Sequence, residues 1–507
     1  MRTEASLAWL GALPGARAST LDRAGAVGLE GLPGEGPCLR TDSRRCRPGD
    51  LFVALRGVQA DGHEQVPELL RAGVACVVAR EWFLAAPASV RATPGLLVVE
   101  DTRDWLPRAA ARVAGLEGEE LRVHGVTGTN GKTSTAWILQ QLLLLDDPRA
   151  GLVGTICSRT GRDEPEPSAL TTPDPLWLAA FARRLLDAGG RHLVMEVSSH
   201  AIHQRREAVF GFASALFLNL SPEHLDYHDH MDEYFRVKAS FLRRPEPALR
   251  LVDVDGPWGK RLAAELDPLP VQTLGHGPRA DWRIADERLR PDGQEYTLSG
   301  PGEEQRLFLP LHGDFQVGNS AAAWITARSA GLPAEELVRA LATVEPVPGR
   351  MEPVPLPGGP RVLIDYAHSP DGYEKALGSL AGLPRRRLHV LFGCGGERDR
   401  GKRPVMLEIA LRHAERVWVT LDNPRREDPE SIFTDILARQ GGDPRVTRVD
   451  DRAEAIAAML AEAGPEDLLV LLGKGHERYQ LLGTEKRPFD ERAVLRAAWA
   501  RLSGRES

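Results

Sequence analysis

Leu121-Arg122-Val123-His124-Gly125-Val126, followed by Thr127-Gly128-Thr129-Asn130-Gly131-Lys132-Thr133-Ser134, is the stretch on which the fold turns. Residues 121–126 read as a buried strand and 133–144 as an amphipathic helix, with a glycine-rich loop between them. Glycines at 128 and 131 let the backbone fold tightly and aim its N–H groups at phosphate oxygens, and the helix N-terminus adds partial positive charge. Lys132 can reach the β- and γ-phosphates of a nucleotide, and the Thr133 hydroxyl can ligate Mg²⁺. Val126 stands where the GxxxxGK[ST] pattern has its first glycine. A plain structural turn is the competing reading, and the strand before and helix after the loop count against it.

Strands alternating with helices continue outward from this unit, which predicts a parallel α/β sheet. Strands are expected at 192–197 and 215–219, helices at 176–188, 231–242 and 318–332, and a smaller β-rich section over 245–310. Upstream, 51–55 and 75–78 read as strands with a helix over 64–72, and the segments 42–44 and 57–62 read as loops. Downstream of Pro346-Val347-Pro348-Gly349, strands at 361–365, 388–392, 416–420 and 468–472 read as a doubly wound domain. The expected fold class is therefore α/β with three domains: an N-terminal α/β domain over 1–120, a central P-loop-type parallel-sheet domain over 121–345 and a Rossmann-like domain over 346–507.

Composition narrows the class. The 507 residues carry a formal net charge of -7, which does not favour nucleic acid as the main partner. No apolar run approaches the roughly 18 to 20 residues of a membrane span, and no signal-peptide pattern opens the sequence. Cys38, Cys46, Cys76, Cys157 and Cys394 form no CxxC pair, so reduced thiols in a cytoplasmic protein are expected. Of the 64 basic residues only seven are lysines (132, 238, 260, 375, 402, 474 and 486), and there are four asparagines (130, 219, 319 and 423). A lysine retained in an arginine-rich chain is a candidate for chemistry arginine cannot do.

Polar clusters follow the predicted strands. They are Glu196-Val197-Ser198-Ser199-His200; Asn219-Leu220-Ser221-Pro222-Glu223-His224-Leu225-Asp226-Tyr227-His228; Asp365-Tyr366-Ala367-His368-Ser369-Pro370-Asp371; the charged glycine loop from Gly393 to Arg403; Asp422-Asn423-Pro424-Arg425; and Gly473-Lys474-Gly475-His476-Glu477. Strand ends are where an open α/β sheet builds a site. Glu196 is a candidate Mg²⁺ ligand, although a lone strand-end glutamate more often accepts structural hydrogen bonds. His224 could complete a second metal site. Taken alone, Lys238 on its helix reads as an ordinary solvated lysine.

Together the motifs TGTNGKT, MEVSSH, HLDYH, DYAHSPD, GCGGERDRGKR, DNPR and GKGHE resemble the Mur ligase family of cytoplasmic cell-wall peptide synthetases, in order and over essentially the whole chain. The match is best with members that add the third residue of the stem peptide. The resemblance explains Val126, because the family has its own phosphate loop. It implies that ATP phosphorylates a substrate carboxylate, here the D-Glu γ-carboxylate of UDP-MurNAc-L-Ala-D-Glu, and that the amine of a diamino acid attacks the acyl phosphate.

Carried over residue by residue, the resemblance implies that Gly128, Thr129, Asn130, Gly131, Lys132, Thr133 and Ser134 bind ATP phosphates. Asn319, Arg350, Asp365 and His368 would close the nucleotide site. Thr133, Glu196 and His224 would serve Mg²⁺, joined by Lys238 as a carbamate formed with CO₂; Lys132, Glu196, His224 and Lys238 form the implied catalytic set. Thr41, Ser43, Val58, Gln59, Ala60, Thr171, Thr172, Ser198, Gln204 and Arg206 would hold the UDP-sugar dipeptide. Arg398, Asp422, Asn423, Pro424, Arg425, Gly473 and Glu477 would form the amino-acid pocket. DNPR points to meso-diaminopimelate, with Arg425 on the distant carboxylate and Glu477 on the distant amine. Gln316-Val317-Gly318-Asn319 departs from the family's Phe-Asn-x-x-Asn pattern. A monomer with no nucleic-acid or membrane partner is expected. The alternatives are the same ligase using L-lysine or L-ornithine, a sister ligase, a folylpolyglutamate synthetase-like ligase and a non-enzymatic nucleotide-dependent regulator.

Overall fold

The computed structural model describes residues 38–57, 60–223 and 227–504, with the backbone of short strands at Glu4–Ala5, Ala16–Ala18 and Leu29–Glu30. The chain divides into two compact units, Met1–Thr273 and Leu274–Ser507.

The first unit opens with a five-stranded sheet in the order Ala16–Ala18, Leu96–Val99, Ala75–Ala79, Leu51–Val53, Leu39–Arg40, parallel except for the first pair. The expected helix over 64–72 splits into a 3₁₀ turn, Gly62–Gln65, and a short helix, Val66–Arg71. Asp61 caps the 3₁₀ turn, and Pro67 fits the first turn of the helix, where its missing N–H costs nothing.

The second sheet of this unit carries the glycine loop. Its parallel core runs Gly151–Val153, His192–Glu196, Arg122–Thr127, Phe212–Phe217, Leu249–Asp253, and Cys157–Thr160 and Glu166–Pro167 extend one edge antiparallel. Register sets Glu196 opposite Val126 and Thr127 opposite Phe217, so three core strands finish at one edge of the sheet. The helix after the glycine loop, Lys132–Leu143, is not amphipathic in its exposure: ten of its 12 residues are buried. Gly125 is needed for packing rather than for phosphate. A Cβ there would lie 2.4 Å from Phe241 Cζ, on the helix Met231–Leu242. The expected β-rich section over 245–310 starts differently from its reading, because Leu249–Asp253 belongs to the parallel core and a helix, Pro257–Glu265, follows it.

In the second unit, Trp282–Arg290, Gly293–Gly300 and Glu303–Leu309 form an antiparallel meander. The expected helix over 318–332 is Phe315–Ser329, started early by Asp314, whose carboxylate accepts from the Phe315 N–H; a further helix follows at Ala334–Leu341. The last sheet runs Glu352–Pro353, Arg361–Asp365, Leu468–Leu472, Leu388–Phe392, Arg416–Val419, Val446–Arg448, parallel except for its first strand. Its central strands are buried on both faces, as continuous Val/Leu runs require. Asp365, Leu472 and Phe392 are in register, so the loops after them open at one edge. Among the described residues no helix is long and apolar enough to cross a membrane, and all five cysteines are free thiols.

Candidate active site

Gly131 occupies the left-handed region at φ 86° and caps the helix, as a loop that must turn its N–H groups inward requires. Gly128, at φ +159°, is close to extended, and its need for glycine is steric: a Cβ would meet Leu218 Cβ at 3.1 Å. The Lys132 ammonium donates to the carbonyl oxygens of Gly128 and Thr129 at 2.9 and 2.8 Å, and Thr133 and Ser134 are buried behind it. The loop is stapled to the end of the next strand. Asn130 N donates to Asn219 Oδ1 at 2.9 Å, and Asn219 Nδ2 returns a bond to Asn130 O at 3.1 Å. Thr129 accepts from Ser221 N at 3.0 Å and lies 3.2 Å from the Tyr234 hydroxyl.

Glu196 is 1% exposed at the end of its strand. Its carboxylate accepts from Thr133 Oγ1 at 3.0 Å, from Thr155 N at 2.8 Å and from Thr155 Oγ1 at 3.0 Å. Gly154 makes this approach possible, since a Cβ there would sit 2.3 Å from Glu196 Oε1. Thr155 also touches Thr171, their hydroxyls 3.0 Å apart. Thr172 donates to Glu196 O at 2.8 Å and accepts from Ser198 N at 3.1 Å; Arg206 donates to Thr172 O at 3.1 Å and to Gln204 Oε1 at 2.6 Å. Thr171, Thr172, Ser198, Gln204 and Arg206 thus form one network continuous with Glu196.

Lys238 departs from its reading, taken alone, as an ordinary solvated lysine. It is 1% exposed, not solvated, and donates to Thr127 Oγ1 at 3.2 Å and Gly128 O at 2.9 Å. Burial, then the nearby Lys132 charge, hold its pKa well below that of an ordinary lysine, which favours the neutral amine. His224, Val58 and Gln59 lie outside the described residues. Ser43 sits in the 3₁₀ turn Ser43–Arg45, capped by Asp42, with Thr41 just before it; Ala60 closes a turn by accepting from Gly57 N at 2.8 Å.

In the second unit, Asp365 accepts from Met351 N at 2.8 Å and Ala367 N at 2.7 Å, and burial raises its pKa against the opposing pull of Arg350. The Arg350 guanidinium lies 4.8 Å over the Tyr366 ring. His368 contacts Tyr366 O at 2.9 Å through Nδ1, and its own carbonyl accepts from Lys402. Asn319 is buried and donates to Gln316 Oε1 at 3.2 Å. Further along, Asn423 Nδ2 donates to Glu477 Oε2 at 2.9 Å, which joins the DNPR and GKGHE loops. Arg425, at φ 53°, donates to Gly396 O at 2.8 Å, and Arg398 is exposed beside Gly395. Gly473 turns at φ +108° next to Asp422.

Gly154, Thr155 and Tyr234 are absent from the sequence-based expectations, and Lys474 enters them only as a scarce lysine within its glycine cluster. Scarcity was a usable signal for Lys474 and for Asn219. Asn219, Asn319 and Asn423 bond through their side chains, and Asn130 is held through its backbone N–H and carbonyl.

Three family models match the chain: "Mur ligase family, catalytic domain" over residues 38–113, "Mur ligase middle domain" over 126–327 and "Mur ligase, glutamate ligase domain" over 349–475. A protein of Synechococcus elongatus, 39% identical over 467 residues, covers 91% of this chain and 93% of its own length. A protein of Gloeobacter violaceus, 40% identical over 470 residues, covers 92% and 94%. Both are named UDP-N-acetylmuramoyl-L-alanyl-D-glutamate--2,6-diaminopimelate ligase. A solved structure of the same name superposes with a TM-score of 0.69 at 29% identity over 92% of this chain and 95% of its own. A Mycobacterium tuberculosis folylpolyglutamate synthase shares the fold at TM-score 0.60 and 19% identity, over 80% of this chain and 95% of its own. With loops and strand ends arranged in this way and all three models matched in order, the chain belongs to the Mur ligase family of ATP-dependent, amide-bond-forming ligases.

Proposed function

We propose that this chain joins meso-diaminopimelate to the D-Glu γ-carboxylate of UDP-MurNAc-L-Ala-D-Glu at the expense of ATP, as a cytoplasmic monomer in peptidoglycan synthesis. Residues 1–120 would serve the UDP-sugar, 121–345 ATP and 346–507 the amino acid. The observation that carries the choice of amino acid is the 2.9 Å contact between Asn423 and Glu477, which gathers DNPR and GKGHE into one pocket. That pocket offers a guanidinium for a distant carboxylate and a carboxylate for a distant ammonium. Both named relatives, which span more than nine-tenths of the chain, carry the same substrate in their names.

The reaction runs in two steps. The dipeptide's γ-carboxylate attacks the γ-phosphorus and ADP leaves. The incoming amine then attacks the acyl carbon, loses a proton and expels phosphate. Lys132 exchanges its carbonyl partners for phosphate oxygens, and the Thr172–Arg206 network holds the dipeptide arm so that its carboxylate meets the phosphate loop. Thr133 and Glu196 would hold magnesium: a hydroxyl and a buried carboxylate 3.0 Å apart are the hard oxygen donors that ion takes. Bound there and at a second position served by His224 and carbamylated Lys238, it would neutralise charge on the transferring phosphoryl group. Burial that disfavours the charged form of Lys238 supports that modification, in which nitrogen bonds to the carbon of CO₂ and a proton is released.

Phosphate release by the purified protein with ATP and UDP-MurNAc-L-Ala-D-Glu tests the reading. Turnover should be fastest with meso-diaminopimelate; faster turnover with L-lysine or L-ornithine overturns the substrate assignment.

A further inference from the structure

We infer that Lys474 is a positioning residue that fixes both the geometry and the charge of the amino-acid pocket, an inference that rests on the ligase reading above. Its side chain is 0% exposed, and its ammonium donates to Asp422 Oδ1 at 3.0 Å, Asn423 Oδ1 at 3.2 Å and Glu477 Oε2 at 3.4 Å. Three donors meet three acceptors, so the ammonium is fully committed within the protein. It is not placed to receive substrate; it is placed to hold the groups that do.

Those groups are locked in turn. Asn423 Oδ1 also accepts from Leu481 N at 2.9 Å, while Nδ2 donates to Glu477 at 2.9 Å. Two donors on one side and a carboxylate on the other leave the amide a single orientation. Gln480 Nε2 donates to Asp422 O at 3.1 Å and pins the same loop from behind. The backbone around Lys474 is equally specific. Gly473 and Gly475 stand at φ +108° and +52°, and a Cβ on Gly475 would lie 2.6 Å from Tyr366 Cβ. Only glycine accepts that path, and the path turns the lysine inward.

The charge count gives the consequence. Asp422 and Glu477 bring two negative charges within reach of one another, and Lys474 cancels one. One net negative charge remains for a distant ammonium, and the guanidinium donors of Arg425 not bonded to Gly396 O are left to answer a distant carboxylate. Remove Lys474 and two carboxylates face the incoming amino acid with no fixed cation between them. Such a pocket favours ligands whose far end is only cationic, L-lysine among them, and disfavours one that ends in both charges.

Steady-state kinetics of wild type, Lys474→Met and Lys474→Arg with meso-diaminopimelate and L-lysine test this. The methionine variant should raise KM for meso-diaminopimelate tenfold or more, leave KM for ATP within twofold, and narrow the kcat/KM ratio between the two amino acids at least tenfold. The arginine variant, which keeps the charge, should recover part of that ratio. Lys474→Gln, polar but neutral, gives the same readout if the methionine variant does not fold. A drop in kcat with KM and the ratio unchanged would make Lys474 merely structural and overturns the inference. A wild-type preference for L-lysine overturns the ligase reading instead.

Discussion

The Lys238 Nζ lies 2.9 Å from the Gly128 carbonyl oxygen, which ties a helix to the glycine loop across 110 residues of chain. A buried amine whose pKa is held well down is a nucleophile toward CO₂, and its position beside the loop suits an anionic ligand there. Lys238→Ala should lower turnover on the order of 100-fold, the scale of losing one preorganised electrostatic group. Formate or acetate should restore part of it by filling the space with a free carboxylate. Full activity in the alanine variant, or no response to short carboxylates, removes the carbamate from the mechanism.

Thr155 gives Glu196 two of its three hydrogen bonds, and Gly154 leaves the room for them. Groups that orient a metal-binding carboxylate typically change metal affinity by about 10- to 100-fold when lost. Thr155→Val should therefore raise the Mg²⁺ concentration for half-maximal activity about tenfold, with KM for the amino acid unchanged. Gly154→Ala should lower kcat at every Mg²⁺ concentration, because its Cβ displaces the carboxylate. Magnesium titrations of the two variants that overlay on wild type would contradict both statements.

Away from the site, His124 bridges Ser214 at 2.8 Å and His192 at 2.9 Å in a buried chain across three parallel strands. Burial, then the His192 and Arg122 charges, push the His124 pKa down to about 3, and burial also lowers that of His192. Folding favours the neutral form of both rings, whereas the unfolded chain takes up protons below about pH 6.5. The His124 contribution to stability is full above that pH and falls as the solution is acidified toward pH 3, by at most about 1.4 kcal/mol per pH unit, and His192 acts in the same direction. Thermal unfolding should show a lower Tm at pH 5.5 than at pH 7.5, before most carboxylates titrate. His124→Gln should flatten that difference; an unchanged slope would assign it to other groups.

What the sequence discloses depends on how strongly one element is buried. The strands expected at 361–365, 388–392 and 468–472 and the helix at 231–242 appear with those bounds, because continuous apolar runs or a capped amphipathic face leave few alternatives. Val446–Arg448 and the hairpin Tyr479–Leu482 with Glu485–Pro488 are half-buried or exposed and carry no such run, so they are silent in sequence. Thr155 is silent for another reason. It follows a strand of only three residues, and its role arises when that strand pairs with Leu193–Met195 and brings it to Glu196. Lys238 taken alone reads as solvated because its partners lie more than a hundred residues earlier, and Gly125 lets its helix pack close enough to bury it.

Arg425 carries the last prediction. Its backbone is held at φ 53° by Arg425 N donating to Leu481 O at 3.0 Å and Gly483 N donating to Arg425 O at 2.7 Å. Gly396 O accepts from one guanidinium nitrogen at 2.8 Å and anchors the planar fork at that corner. A charge-assisted, two-point contact such as the one proposed between Arg425 and a distant carboxylate contributes roughly 2 to 4 kcal/mol to recognition, or about 30- to 1,000-fold in kcat/KM at 1.4 kcal/mol per factor of ten. Arg425→Ala should cost meso-diaminopimelate that much while leaving L-lysine within a few-fold, since L-lysine has no distant carboxylate to lose. Arg425→Lys should recover little, because a point charge cannot reproduce the planar fork. Competition between the two amino acids in one reaction, read as the product ratio, measures the change directly; an unchanged ratio would move carboxylate recognition elsewhere, with exposed Arg398 the first residue to examine.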